Sequence, residues 1–260
     1  MGDNTLIQMI LNQRDRDLAE RHVWGKNRAP RPIPKKLHLI WVGDDAKRPQ
    51  ASIDSWRDKH PTWQFQLWGN AELDGIPWKA KRQIDIFRAG ERWEGVADLM
   101  RYEILLEHGG VYVDADSTCV RPLDDWLLDT RMFAVWENER CVPGLIANGF
   151  IGSQQHHPVL SSIVRATARM NDPMWRRTWD IEGWRGIRPR FRYAEFLPWK
   201  SVGPMFFTKM ILPFCPGEAT ILPSVLFLPR HHTEQADRQS SLIYSTHVWG
   251  TAHKSYSAAT

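Results

Sequence analysis

The sequence predicts an α/β domain built on a wound, mostly parallel sheet, and three observations carry that reading. Short apolar runs closed by turn residues alternate with helical segments as far as Asp114. Residues 96–116, VADLMRYEILLEHGGVYVDAD, pass from helical periodicity through a glycine pair into a β-branched and aromatic run. The 260 residues are 42% hydrophobic and 25% charged, which is ordinary globular chemistry in a chain long enough to bury a substantial core.

In order, residues 5–22 read as an amphipathic helix in which Leu6, Ile7, Met9, Ile10 and Leu11 precede a charged segment. It suits a packing arm. A membrane-surface anchor is the alternative, weakened because Asp15, Asp17 and Glu20 dilute the positive face. Residues 25–35 are basic and proline-rich, an extended lead-in, so 1–31 are set apart from a main domain over 32–260. Leu37, Leu39, Ile40, Trp41 and Val42, closed by Gly43, read as a first buried strand. Ligands of such sheets bind beyond the carboxyl ends of strands, which brings Trp41 and Val42 near any site, with core packing as the competing role for Trp41. Residues 52–60 form a helix stopped by Pro61, and 63–68 a second strand. Residues 71–93 are a charged helical connection whose Lys79, Lys81, Arg82 and Arg88 suit a solvated face.

The central stretch then carries the chemistry. Val96, Leu99, Met100, Ile104 and Leu105 recur at three- and four-residue intervals, and Asp98 and Arg101 share one helix face. Gly109 and Gly110 end that helix, and Val111, Tyr112 and Val113 form a strand. If the chain stays extended, Asp114 and Asp116 project to one side, with Ala115 opposite and too small to obstruct. Paired carboxylates suit a hard cation such as Mg²⁺ or Mn²⁺, which keeps positions open for substrate phosphates. A D-x-D by itself also describes a solvated turn.

Composition narrows the classes. No apolar run approaches the length of a membrane span and residues 1–17 lack a signal-peptide layout, so a soluble, cytoplasmic protein is expected, with contact at the inner membrane surface left open. Cys119, Cys141 and Cys215 are far apart without metal spacing, and are read as reduced, buried thiols. A net charge of +4 is compatible with an anionic substrate. Fourteen tryptophans are an unusual number; some must be core, and such abundance also suits stacking on sugar or base rings.

Several motifs now converge. IPKKLHLIWVG at 33–43, Ser55-Trp56, PTWQFQLW at 61–68 and ADLMRYEILLEHGGVYVDAD at 97–116 resemble, in this order, the DXD-containing sugar transferases. That family includes yeast Golgi mannosyltransferases and bacterial capsular-polysaccharide glycosyltransferases, and its core is similar to the catalytic domain of the large clostridial glucosylating toxins. NGFIGS at 148–153, with His157-Pro158, and SVGP at 201–204 resemble its downstream segments. The likeness covers about residues 32–256.

The resemblance implies a GT-A type nucleotide-diphospho-sugar transferase fold, a Rossmann-like, mostly parallel sheet with flanking helices. It implies a Mn²⁺- or Mg²⁺-dependent hexosyltransferase acting on a uridine or guanosine diphosphate sugar and an acceptor hydroxyl on a carbohydrate, glycolipid or other molecule, with retention. By the same likeness Asp116 ligates the metal, and Asp114 does so while also approaching the ribose. Asp98 and Arg101 meet the donor sugar's hydroxyls or phosphate, with Tyr112 and Ala115 beside them and Trp41 on the base. Relatives end with a metal-binding His or Asn followed by Ser-Trp over the diphosphate. His247 fits the first position, with His253 as the alternative, and Ser255-Tyr256 stands where Ser-Trp is usual. Lys254 is placed to meet phosphate as a point charge.

Residues 171–199, dense in Trp and Arg, look like an insertion on the acceptor side. The same residues could build a nucleic-acid surface, the main rival function, against which the paired carboxylates argue by repelling a phosphate backbone. A metal-dependent phosphohydrolase of nucleotide sugars is the third reading. His156-His157 and His231-His232 are assigned no role, because neither pair has ligand spacing to a Cys or carboxylate.

Overall fold

The computed structural model describes residues 32–170, 197–215, 217–234, 240 and 242–250. The helix expected at 5–22, most of the lead-in and most of the 171–199 insertion lie outside the described residues, as do His253, Lys254, Ser255 and Tyr256.

Strand β1 (Lys36–Ile40) runs between β2 (Gln64–Trp68) and β3 (Gly110–Val113), parallel to both. Beyond β3 follow β6 (Ile146–Ser153), β5 (Met132–Trp136) and β7 (Thr220–Leu222), giving the order β2-β1-β3-β6-β5-β7. Only β6 is reversed. It pairs antiparallel with β3 and β5, and β5 pairs parallel with β7, so five strands point their carboxyl ends to one edge. That edge is where an open α/β sheet binds ligands.

Side chains alternate across the sheet and separate two cores. Leu37, Leu39, Val111, Val113, Phe133 and Val135 pack with Ile53, Trp56 and Phe227 on one face. Tyr112, Met132, Ala134 and Ile151 pack on the other against helices α3 (Lys81–Ala89), α4 (Trp93–His108), α5 (Pro158–Ala168) and α7 (Pro204–Ile211). Helix α1 (Gln50–Lys59) lies between β1 and β2 in sequence. The connection expected as one charged segment is two helices, α2 (Asn70–Gly75) and α3, followed by the start of α4. A short helix α6 (Pro198–Ser201) precedes α7. Among the described residues no helix is long and apolar enough to cross a membrane.

The helix, glycine pair and strand expected around residue 109 are present. Gly109 and Gly110 have φ of 60° and 103°. A Cβ on Gly110 would lie 2.6 Å from the carbonyl oxygen of Lys36, so close strand pairing as well as the turn requires glycine there. The first strand stops at Ile40, two residues earlier than expected, although the Trp41 backbone N–H still donates to Trp68 O at 2.9 Å.

A second sheet pairs β4 (Ser117–Cys119) antiparallel with β8 (Ser245–His247), setting Ser117 opposite His247. Helix α1 pins β4 from outside. Trp56 is wholly buried and its Nε1 donates to Ser117 O at 2.9 Å, while the Cys119 N–H donates to Ser55 Oγ at 2.8 Å. The Ser-Trp pair at 55–56 is therefore a brace under the strand that follows the two aspartates. All three cysteines are free, as expected. Only Cys119 is buried, Cys215 is intermediate and Cys141 is exposed because it sits in the loop after β5 rather than in a core.

Candidate functional site

A cavity of about 910 Å³ opens at the carboxyl edge of the sheet. Its size falls within the range of small-molecule sites. Trp41, Val42, Asp98, Arg101, Tyr112, Asp114, Ala115, Asp116 and His247, all predicted from sequence, line it together.

The route to their convergence differs from the extended strand expected. Strand β3 ends at Val113, and the Ser117 N–H donates to Asp114 O at 3.0 Å, so the Asp-Ala-Asp stretch is a turn. What aims the carboxylates is their surroundings. Asp114 Oδ1 accepts from Tyr112 OH at 2.8 Å and lies 3.1 Å from Arg101. Asp116 Oδ2 accepts from the Gly250 N–H at 2.8 Å. Each carboxylate thus has one oxygen fixed and the other turned to His247 Nε2, at 3.4 Å from Asp114 Oδ2 and 3.2 Å from Asp116 Oδ1. One ligand atom from each of the three lies within 4.8 Å of the others.

Arg101 is the strut of the site. Only 5% exposed, it donates to Asn148 O at 2.7 Å and Ala97 O at 3.3 Å, pairs with Asp98 at 3.3 Å and Asp114 at 3.1 Å, and stacks 4.3 Å above the Tyr112 ring. Burial in low dielectric pushes the Asp98 carboxyl up to about 6, with Arg101 and Asn148 opposing. Burial would also raise Asp114, but Arg101, His247 and Tyr112 outweigh it and hold that carboxyl well below the usual range. For His247 burial lowers the pKa, yet Asp116 and Asp114 prevail and raise it.

Residues outside the predicted set complete the site. Asn148 donates to Asp98 Oδ1 at 2.7 Å and to Tyr102 OH at 3.0 Å. Gly149 has no Cβ because one would sit 2.2 Å from Asp114 Oδ2, and a Cβ on Gly203 would sit 3.0 Å from Asp98 Oδ2. The NGFIGS and SVGP motifs are therefore the clearances and donors around the two acids. Trp199, at the end of the Trp/Arg-rich stretch, also lines the cavity. So do Glu137, His231 and His232. Sequence spacing offered His231-His232 no carboxylate, and the fold brings one, Glu137, from 94 positions away. His157 caps α5 instead, in the core.

The α/β domain with acids at the carboxyl edge of its strands can be set beside known proteins. The described chain has a glycosyltransferase fold: it matches the solved structure titled PaToxG Glycosyltransferase over 80% of each chain, with a TM-score of 0.51 and 16% identity. Residues 46–133 match the family described as the glycosyltransferase sugar-binding region containing DXD motif, a stretch that includes Asp98, Arg101, Asp114 and Asp116. It is 29% identical over 149 residues to inositol phosphoceramide mannosyltransferase 2 of Schizosaccharomyces pombe, covering 55% of this chain and 41% of that one. It is 23% identical over 288 residues to the initiation-specific alpha-1,6-mannosyltransferase of Candida albicans, covering 86% and 73%. An uncharacterized glycosyltransferase of Acanthamoeba polyphaga mimivirus is 38% identical over 54% of this chain and 58% of its own. The chain spans about two fifths of the length of the curated relatives it first matches, 41%, 38% and 36%.

Proposed function

We propose that this chain is a metal-dependent hexosyltransferase that moves a sugar from a uridine or guanosine diphosphate donor to an acceptor hydroxyl in polysaccharide, glycolipid or other glycoconjugate synthesis. The observation that carries the reading is the convergence of Asp114, Asp116 and His247, with Asp98 and Arg101 beside them, in one cavity at the strand ends. Relatives named as mannosyltransferases support sugar transfer. Those named for inositol phosphoceramide support an acceptor held at a membrane surface. Retention is what the family likeness implies.

The donor set suits Mn²⁺ or Mg²⁺, with two hard carboxylate oxygens and one imidazole. Trp249 N–H donates to His247 Nδ1 at 2.9 Å, which puts the ring proton on Nε2. His247 therefore becomes a ligand only after that proton leaves Nε2, whereas Asp114 and Asp116 already present a turned-in oxygen. When bound, the cation offsets the charge that develops on a departing nucleoside diphosphate. The chain's own residues do the positioning. Asp98, with Oδ1 held by Asn148 and Arg101, offers Oδ2 to sugar hydroxyls in the clearance left by Gly203. Arg101 keeps Asp98 and Asp114 from repelling one another. Trp41, anchored by its Nε1 to Asp44 O at 3.1 Å, presents an aromatic face for the base.

The decisive variant is Asp116→Ala, assayed with Mn²⁺ and a panel of nucleotide sugars for donor hydrolysis and transfer. Both should fall by at least about a hundredfold, the order of one lost transition-state contact. Wild-type rates in that variant would overturn the assignment. Free sugar released at the full rate without any acceptor would instead identify a hydrolase.

A further inference from the structure

The β5–β7 half of the cavity holds a second group of side chains that donor binding leaves unused. Trp41 follows β1 and Asp114 follows β3, whereas Glu137 follows β5 and His231 lies beyond β7. Trp249, just after β8, joins the halves, its ring 4.9 Å from His247 and 5.1 Å from His231.

His231 is 3% exposed. Its Nδ1 lies 2.7 Å from Thr233 Oγ1 and receives the Thr233 N–H at 3.4 Å, which leaves the ring proton on Nε2. Among the described residues that Nε2 is buried without a hydrogen-bond partner. Glu137 Oε1 lies 3.6 Å away, beyond a direct hydrogen bond. Burying an unmade donor is costly, and the cost is recovered where a ligand oxygen completes it. A hydroxyl is the group that serves both sides, accepting from an N–H while donating to a carboxylate.

Trp249 supplies an independent observation. Its φ is 58°, a left-handed backbone that a bulky residue adopts only when its surroundings impose it, and such residues gather at functional sites. The indole is fixed by Nε1 donating to Arg230 O at 3.0 Å. It stands half-buried on the cavity wall as a flat apolar face beside His231 and His232.

We propose that Glu137, His231 and Trp249 form the acceptor subsite and that its ligand is a pyranose, one hydroxyl held between His231 Nε2 and Glu137 and the ring's C–H face on the Trp249 indole. The proposal rests on the transfer reading above. A pyranose matches because it carries hydroxyls at its rim and apolar C–H groups on its faces, the pairing that an indole beside a donor and an acceptor can satisfy. Burial pushes the Glu137 carboxyl up to about 7, with His247 opposing, so a hydroxyl donor would favour its ionised form.

The test is equilibrium binding of methyl and p-nitrophenyl hexopyranosides to the full chain, saturated with Mg²⁺, which is diamagnetic, and either UDP or GDP. At least one glycoside should bind saturably, with nuclear Overhauser contacts from its ring protons to the Trp249 indole. Glu137→Gln and His231→Gln should weaken that glycoside about tenfold while nucleotide affinity stays within about twofold, the scale of one buried hydrogen bond. No saturable glycoside, contacts to Trp41 in place of Trp249, or an equal loss of glycoside and nucleotide binding would each overturn the subsite. Failure of both UDP and GDP to bind the unmutated chain with either Mg²⁺ or Mn²⁺ would instead refute the transfer reading. Because the Overhauser contacts are read on the unmutated chain, a variant that misfolds does not spoil the test.

Discussion

Replacing Gly149 by alanine adds one methyl group next to the acids proposed to bind the cation. The new Cβ would lie 2.2 Å from Asp114 Oδ2, and ordinary contact begins at 3.4 Å, so the carboxylate must retreat by about 1.2 Å, the difference between the two. It cannot retreat freely. Asp114 Oδ1 is held by Tyr112 at 2.8 Å and Arg101 at 3.1 Å, and the Asp114 N–H is bonded to Gly149 O at 2.9 Å. The displacement therefore falls on the oxygen that faces His247. A misplacement near 1 Å costs on the order of a hundredfold in rate, and Gly149→Ala is expected to lose transfer to that extent, with Mn²⁺ affinity reduced at least about tenfold. Overpacking adds a stability loss of about 1–3 kcal/mol. Gly152→Ala is the control, because its Cβ would meet the Phe133 ring at 2.1 Å, in the core. It should lower the melting temperature and leave Mn²⁺ affinity unchanged. Titration of Mn²⁺ followed by electron paramagnetic resonance, alongside thermal melts, separates the two. A folded Gly149→Ala chain with normal Mn²⁺ affinity and normal transfer would refute the reasoning.

Other perturbations test neighbouring parts of the structure. His247→Ala should weaken Mn²⁺ at least about tenfold and abolish nitrogen modulation in its spin-echo spectrum; identical spectra would remove His247 from the ligand set. Trp56→Phe deletes the donor to Ser117 O and should cost about 1–3 kcal/mol in urea denaturation while loosening β4; unchanged stability would show that the brace contributes nothing to the fold. His38 is 3% exposed, accepts from Trp68 Nε1 at 3.2 Å and lies 2.9 Å from Gly109 O, and burial lowers its pKa from 6.5 to about 4 despite that hydrogen bond. Above pH 6.5 it is neutral in both folded and unfolded chains; as pH falls toward 4 the unfolded chain takes up a proton that the folded one refuses. Stability should therefore decline over that window by about 3 kcal/mol from this group, and less in His38→Gln, measured as urea midpoints against pH.

Much of this was legible in the sequence where the determinants are local. The turn between α4 and β3 depends on two adjacent glycines, and the Asp98–Arg101 pair on helical spacing, so both were readable. Asp114 and Asp116 were correctly brought together for an incorrect reason: the chain turns, and Tyr112, Arg101 and the Gly250 N–H aim the oxygens. No periodicity encodes partners as remote as Arg101 and Gly250. Glu137 and His231 escaped for the same reason, since a contact across 94 residues leaves no spacing to recognise. The reversal of β6 was also invisible, because a buried strand reads alike in either direction.

The pairing of β4 with β8 has a temporal meaning. His247 reaches Asp114 across 133 positions, so the third wall of the proposed cation site closes over one of the longest loops in the described fold. Loops of that span are slow to close, and both carboxylates can stand in the turn beyond a paired β3 before β8 arrives. Tight cation uptake then marks the end of folding: a chain that still lacks its last described strand holds the acids and not the site.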